Sequence, residues 1–341
     1  MKKSLTALAV LAFVGTAAAQ SSVTLFGVAD VGVAHLSGST LSKTGVSTGG
    51  ANISRWGFRG TEDLGGGLKA GFWLEAGMNM DDGTGKGTGG GMAFNRRATV
   101  SLMGDWGELR VGRDDTPTFL STLIFDPFLT NGVGGTMGFV MLGAPIQISN
   151  SVGYFLPGNL GGFYGQVQHA RGEQLNATGT GASPQGNYTG ARAGYRSGPL
   201  NVALATGELR GATSADDLKA NNIAASYDFG MVKPMLLWAT EKKGPAKITA
   251  IQLGATAPLG QGELRASFGH YDTSGSNADW RKLSLGYGYN FSKRTQVYGS
   301  FARLSNRAGS QKSIGVQGLS APGTSLGGNS TGYEVGIRHS F

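Results

Sequence analysis

Residues 282–291, with the sequence KLSLGYGYNF, alternate between two kinds of side chain. Leucines and aromatic residues occupy the odd positions, whereas Lys282, Ser284 and Asn290 lie at even positions. Successive side chains of a β-strand point to opposite faces, so this segment predicts a strand with one apolar and one polar face. A run of about ten residues is also the length that a tilted strand needs to cross a bilayer.

The same alternation recurs along the chain in segments that end in turn residues, clearly so in 23–35, 68–76 and 222–229. Although 231–242 and 294–305 alternate less cleanly, counting such segments predicts 16 strands. They lie near residues 23–35, 51–63, 67–79, 92–104, 107–115, 148–157, 161–171, 187–197, 199–210, 220–229, 231–242, 247–257, 262–273, 280–291, 294–305 and 330–341.

Short and long connections alternate between these segments, which is the layout of outer-membrane barrels. The tight turns lie at 63–66, 104–107, 197–199 and 291–294, and the long polar or glycine-rich loops at 37–50, 81–91, 172–186 and 306–329. We therefore predict an all-β fold, a 16-stranded antiparallel transmembrane β-barrel. A barrel of that size leaves an aqueous channel.

The first residues have the pattern of a secretory signal peptide. Lys2 and Lys3 precede the apolar stretch 5–14, and 17–19 is a run of three alanines that suits cleavage. We predict a signal peptide at 1–19 and the barrel domain at 20–341; the alternative is a genuine N-terminal helix. The chain has no cysteine, and its 60 glycines occur with only 10 prolines, which is not a collagen or linker composition.

The net charge of +8 falls to +6 when Lys2 and Lys3 are removed. Because the basic residues are scattered singly and not clustered in a stripe, they argue against a nucleic-acid partner and favour an anion-attracting lumen.

Enzyme signals are missing from the sequence. The four histidines are far apart, and no metal-ligand spacing, H-E-x-x-H or G-x-S-x-G motif occurs. We therefore expect no enzyme activity, metal or cofactor, with an outer-membrane hydrolase and an adhesive barrel as the alternative classes.

The connection from 115 to 147 differs from the others because it is long and rich in both apolar residues and glycine, including Phe125, Asp126, Pro127 and Phe128. Loops of this length are usually functional. Its apolar content predicts a third loop that folds into the barrel and narrows the lumen; the alternative is an ordinary external loop.

Several motifs together resemble those of the trimeric general porins of β-proteobacteria, a Gram-negative family that includes neisserial and Burkholderia/Comamonas porins. The motifs are SVTLFG at 22–27, SRWGFRGTEDLGGGLKA at 54–70, FNR at 94–96, GELRVGR at 107–113, NSVGY at 150–154, YNFSKRT at 289–295 and GIRHSF at 336–341. The resemblance covers the whole chain after the signal peptide.

This resemblance implies a 16-stranded barrel, a homotrimer and an inward third loop. We predict a pore in the outer membrane that passes ions and small hydrophilic solutes passively, and the net positive charge favours a weak anion preference. A substrate-selective porin is the alternative. It also implies a constriction in which basic wall residues face acidic residues on the loop. By position, Arg55 and Arg96 match the wall arginines of the family. Gln147 stands where the family often has an arginine, which weakens the expected anion preference.

Alternation adds further candidates for the lumen. Arg55 and Arg59 share one face of their strand, as do Arg192 and Arg196, and an arginine on the lipid face near the midplane would cost roughly 2–4 kcal/mol. Arg96 and Arg97 are adjacent, so strand alternation turns only one inward, and the resemblance favours Arg96. The complete set of predicted lumen residues is Arg55, Arg59, Arg96, Arg113, Asp114, Asp115, Asp126, Arg192 and Arg196.

The chain ends on the aromatic residue Phe341, after an alternating strand. This ending resembles the signal read by the outer-membrane assembly machinery. Pairing between the last and first strands would remove the exposed edges that otherwise promote aggregation. We therefore predict Phe341 as a barrel assembly signal.

Overall fold

The computed structural model describes residues 22–175, 182–307 and 309–341, and strands dominate its regular structure. The strands are β1 (Ser22–Ser37), β2 (Ser42–Thr48), β3 (Arg55–Gly65), β4 (Leu68–Gly77), β5 (Arg97–Gly104), β6 (Gly107–Asp115), β7 (Gln147–Phe155), β8 (Phe163–Ala170), β9 (Gln174–Leu175), β10 (Ala182–Ser183), β11 (Tyr188–Ser197), β12 (Leu200–Leu209), β13 (Leu218–Tyr227), β14 (Lys233–Lys243), β15 (Ala246–Leu259), β16 (Gly262–Thr273), β17 (Trp280–Asn290), β18 (Thr295–Asn306) and β19 (Ser330–Ser340).

An α-helix, α1 (Pro117–Ile124), lies between β6 and β7, and 3₁₀ turns occur at Thr88–Gly90 and Ser214–Asp216. Among the described residues, no helix is both long and apolar enough to cross a membrane. The predicted signal peptide at 1–19 lies outside the described residues, as does 176–181 within the predicted loop 172–186.

Neighbouring strands pair antiparallel around a closed barrel. β9 and β10 form a separate small hairpin, so β8 pairs with β11. β1 pairs with β19 from Val28↔Ser340 to Ser37↔Thr331. This last pairing joins the two ends of the sheet. The predicted 16-stranded antiparallel barrel is confirmed.

One of the 16 barrel strands is interrupted, and the sequence did not predict this. β2 pairs with the second half of β1 and β3 with its first half, so β2 and β3 are two pieces of one strand. The Asp30 carboxylate explains the break, because it accepts the backbone N–H groups of Gly50, Ala51 and Asn52 at 3.2, 2.9 and 2.7 Å. These N–H groups are therefore turned away from the ladder, and β2 lies in what we predicted to be the loop 37–50.

The two faces of the wall differ as the alternation predicts. On β13, Ile223 is 59 % exposed and Asn222 is 4 % exposed; on β19, Val335 is 62 % exposed and Glu334 is 1 % exposed. The exposed apolar side chains form the lipid-facing surface, and the polar ones point into the lumen.

Residues 116–146, here called the inner loop, lie inside the barrel. Thr116 caps α1 by accepting the N–H of Phe119 at 3.4 Å, and Pro117 suits the first helical position. The loop then contacts wall residues on seven strands, β11, β13, β14, β15, β16, β17 and β19. These residues are Arg192, Asn222, Glu241, Gln252, Tyr271, Lys282 and Glu334. The predicted inward third loop is confirmed.

Packing explains why the inner loop stays on one side of the lumen. Val133 and Met141 of the loop join Leu36, Trp280 and Ile314 in a buried apolar cluster that includes residues of the 306–329 loop. The inner loop therefore packs against the wall at β13–β17 and β19. Two larger cavities lie against β3–β6.

Candidate pore constriction

A cavity of about 400 Å³ lies in the lumen between the inner loop and the wall. Its charged lining is predominantly basic. Four basic and two acidic side chains give it a net charge of +2: Arg55, Lys86, Arg96, Arg97, Glu75 and Asp115. The predicted residues Arg55, Arg96 and Asp115 are thus brought together, whereas Glu75, Lys86 and Arg97 were not in the predicted set.

Glu75 on β4 holds two of the arginines. Its Oε1 lies 2.6 Å from Nε of Arg96 and 3.3 Å from Nε of Arg55. Its other oxygen accepts the indole N–H of Trp73 at 3.0 Å. Arg55 also donates to Oδ1 of Asn52 at 2.8 Å, so the turn that interrupts the second barrel strand helps to orient this guanidinium.

Arg96 and Arg97 both line the cavity, and the expectation that only one of them turns inward is wrong. Strand alternation does not apply to Arg96, because β5 begins at Arg97. The N–H of Arg96 donates to the carbonyl of Glu75. Nε of Arg97 lies 3.5 Å from Asp114, and its guanidinium lies 4.6 Å from the centre of the Trp73 ring.

The loop side of the cavity carries no charge and is mostly apolar. Its lining residues are Phe119, Leu123, Leu129, Thr130, Asn131, Phe139 and Ile146. The acidic residue predicted there, Asp126, is fully buried inside the loop, where it accepts the N–H groups of Thr130 and Thr136 at 2.7 and 2.9 Å. Burial raises the pKa of Asp126. The expectation that acidic loop residues face the basic wall is therefore wrong for this cavity.

The acidic pair at the end of β6 belongs to the wall. Asp115 lines the cavity, and its Oδ1 accepts a hydrogen bond from the side-chain amide of Gln147 at 2.7 Å. Asp114 is buried between Arg97 and Arg110. Both carboxylates thus lie on the same side as the arginines and partly neutralise them.

A second cavity of about 320 Å³ continues from the first, since Trp73 and Arg97 line both. It extends towards the tight-turn end and contains the predicted Arg59, together with Arg110, which was missed. Arg59 lies 5.0 Å from the centre of the Trp73 ring, so this ring is flanked by two guanidinium groups. Arg110 shares one strand face with Glu108 and alternates with the exposed Leu109 and Val111, a signal that could have identified it in the sequence.

The remaining predicted arginines lie elsewhere. Arg192 is buried behind α1, where its Nε donates to Ser121 at 2.9 Å and its guanidinium lies over the Tyr164 ring. Arg196 lies 5.9 Å from the centre of the same ring. Arg113 donates to the Asn95 carbonyl and to Ser149. These three residues do not line either of the two described cavities.

Phe341 lies where the barrel closes. Its N–H donates to the Gly27 carbonyl and its carbonyl accepts the Gly27 N–H, both at 3.0 Å. Its ring packs against Gly27, where a Cβ atom would collide with it. Among the described residues, no group of three or more histidine, aspartate or glutamate side chains could hold a metal ion.

A closed barrel with an apolar exterior and a charged, partly filled lumen defines an outer-membrane channel protein. Comparison with known proteins identifies the family. The sequence pattern described as Gram-negative porin matches residues 4–309, and the chain belongs to this family.

Relatives align along their whole length with this chain. It is 42% identical to outer membrane porin protein 32 of Delftia acidovorans and 30% identical to an outer membrane porin protein of Bordetella pertussis, with 100% of both chains covered in each case. Among solved structures, the anion-selective porin from Comamonas acidovorans superposes with a TM-score of 0.84 at 39% identity, covering 94% of this chain and 100% of that one.

Proposed function

We propose that this chain forms a water-filled pore through which ions and small hydrophilic solutes diffuse passively, with a modest preference for anions. The observation that carries this proposal is the net charge of +2 in the 400 Å³ cavity. Charges that line a narrow passage bias which ions pass, and their effect is largest where the screening length of about 8 Å exceeds the distance to the ion.

Two further facts support the direction and the modest size of the preference. The relative from Comamonas acidovorans is an anion-selective porin. In this chain, Gln147 replaces the arginine that the resemblance implies, and it contacts Asp115. One positive charge is therefore absent from a wall that still carries two carboxylates.

The test is a single-channel recording of the purified protein in a planar bilayer with a potassium chloride gradient. We expect discrete conductance steps and a reversal potential on the anion-selective side. A reversal potential on the cation-selective side would contradict the charge argument, and the absence of steps would contradict the pore.

Family membership also supports a homotrimer that is exported with a cleaved signal peptide at 1–19 and inserted by the outer-membrane assembly machinery. Native mass spectrometry should give three chains per particle, and N-terminal sequencing should begin at Gln20. A monomeric particle would contradict the first expectation, and an intact Met1 the second.

We further infer that the chain is a channel without catalytic activity. In the described part of the chain, His35 contacts a serine, since its Nε2 lies 3.5 Å from Oγ of Ser37, but its other nitrogen contacts Thr44 instead of a carboxylate. A hydrolase relay needs an acid at that position to orient the ring. Hydrolysis of ester substrates by the purified protein, lost in His35→Ala, would contradict this inference.

A further inference from the structure

The two sides of the constriction differ in chemistry. The wall side presents three guanidinium groups, one ammonium group and two carboxylates. The loop side carries no charge and presents mainly apolar side chains beside Thr130 and Asn131; the apolar ones are Phe119, Leu123, Leu129, Phe139 and Ile146. A solute in the 400 Å³ cavity thus contacts a wall of net positive charge on one side and mainly hydrocarbon on the other.

The apolar side is firmly held. Helix α1 is fixed to the wall by Ser121, which accepts from Arg192 at 2.9 Å, and by the carbonyl of Thr118, which accepts from Asn222 at 2.8 Å. The rings of Phe119 and Phe139 pack with their centres 5.6 Å apart. The apolar surface therefore belongs to a rigid support.

The backbone at Leu129 is a second indication that the apolar side is held in a fixed conformation. Its φ is +52°, a region that leucine rarely adopts, and Thr130 follows at +61°. Hydrogen bonds from both N–H groups to Asp126 stabilise this turn. Strained backbone is maintained where the surroundings fix it, and here it places a leucine in the cavity lining.

An inorganic anion gains from the basic wall but little from the five apolar side chains of the loop side, which leave only Thr130 and Asn131 there to offer polar groups. A carboxylate with a hydrocarbon body can satisfy both sides at once. Full burial of one methylene group favours binding by roughly fourfold, so contact on one side should give about twofold for each methylene.

We propose that the constriction binds amphipathic organic monoanions, carboxylates with an apolar body, in preference to inorganic anions and short carboxylates. This inference rests on the proposed anion-preferring pore and names its substrate class. The carboxylate lies towards Arg55 and Arg96, and the hydrocarbon lies along Leu123, Leu129 and Phe139.

The experiment measures block of the potassium chloride current by acetate, butyrate and hexanoate added at equal concentrations to single channels. The apparent affinity should rise about twofold for each added methylene, or about 16-fold from acetate to hexanoate. Hexylammonium, which has a similar body with the opposite charge, should block at least tenfold more weakly than hexanoate.

Two variants test where the chain-length dependence arises. Leu123→Gln changes the apolar lining and should reduce the ratio between hexanoate and acetate to less than half its original value. Leu326→Gln is the matched control, because Leu326 is an exposed residue of the 306–329 loop outside the cavity lining. It should leave the ratio unchanged.

Equal block by acetate and hexanoate would overturn the inference, and so would an unchanged hexanoate-to-acetate ratio in Leu123→Gln. If the reversal potential in potassium chloride alone were still anion-selective, the proposed pore would remain intact. A cation-selective reversal potential in potassium chloride alone would instead overturn the proposed function itself. A protein-free bilayer in hexanoate provides the baseline for effects on the lipid.

Discussion

Nε of Arg96 lies 2.6 Å from Oε1 of Glu75, and this contact joins β4 to the segment that precedes β5. The same carboxylate oxygen lies within 3.3 Å of Arg55. Glu75 therefore neutralises part of the charge of two cavity arginines and fixes their spacing.

Replacing Glu75 by Gln should increase the anion preference. The net charge of the cavity would rise by one, and a unit charge about 4 Å from an ion in water is worth about 1 kcal/mol, or roughly fivefold in local concentration. The anion-to-cation permeability ratio should thus rise by up to about fivefold at low salt. Glu263→Gln is the control, because Glu263 pairs with Arg265 outside the cavity lining. Equal shifts in the two variants would mean that total charge, not the constriction, sets the selectivity.

Alkaline pH should weaken the anion preference through Lys86. Burial and the nearby charge of Arg96 lower the pKa of Lys86 from its ordinary value of 10.5, so it loses its proton at a lower pH than a solvated lysine. Below that pKa the cavity carries +2, and above it +1. The reversal potential should move towards cation preference as the pH is raised from 7, and this change should come at a lower pH than a solvated lysine would give. In Lys86→Met this step should be missing, and an identical pH profile in both proteins would contradict the assignment.

Deleting residues 125–135 should raise the single-channel conductance and leave the barrel folded. The deletion removes no barrel strand, since β6 ends at Asp115 and β7 begins at Gln147. Gln252, Lys282 and Glu334 would lose their loop partners, but they would then face water in a wider lumen. Heat-modifiable gel mobility reports folding. Unaltered conductance in a folded variant would contradict the role of the inner loop.

Removing Phe341 should impair barrel closure. Its two backbone hydrogen bonds with Gly27 extend the β1–β19 pairing to the end of the chain. Unpaired backbone groups in lipid cost several kcal/mol each, so the folded fraction should fall. Phe291→Ala is the control, since Phe291 is also an exposed aromatic residue but follows β17, away from the β1–β19 closure. Equal folded fractions in wild type and the Phe341 deletion would contradict the closure role.

The strands could be predicted because lipid and water impose different chemistry on the two faces of each one. β2 could not be predicted, since the segment 37–50 is polar and rich in small residues. Its pairing also depends on the Asp30 carboxylate, which accepts the backbone N–H groups of residues 50–52 from another part of the chain. The inner loop was recognisable from its length and apolar content. Its helix α1 was not predicted, although Thr116 followed by Pro117 is a helix-start signal.

The constriction was only partly predictable for a related reason. Alternation indicates which side of the wall a residue is on, and Arg192 does point inward. It does not indicate which part of the wall the inner loop covers, because that depends on contacts between residues far apart in the chain. Arg97 was missed although it shares the inward face of β5 with Thr99 and Ser101, because the resemblance favoured Arg96. Lys86 was missed because it lies in the loop before β5, where alternation does not apply.

Replacing Arg55 by Ala should shift the reversal potential in a potassium chloride gradient towards cation preference. Arg55 lines the cavity, whereas Arg196 does not, so Arg196→Ala provides a control with the same change in total charge. We expect a permeability-ratio change of up to about fivefold for Arg55→Ala at low salt, and less for Arg196→Ala. The difference should shrink at 1 M salt, where screening shortens to about 3 Å. Should the two variants give the same reversal potential at low salt, Arg55 would lie outside the conducting path.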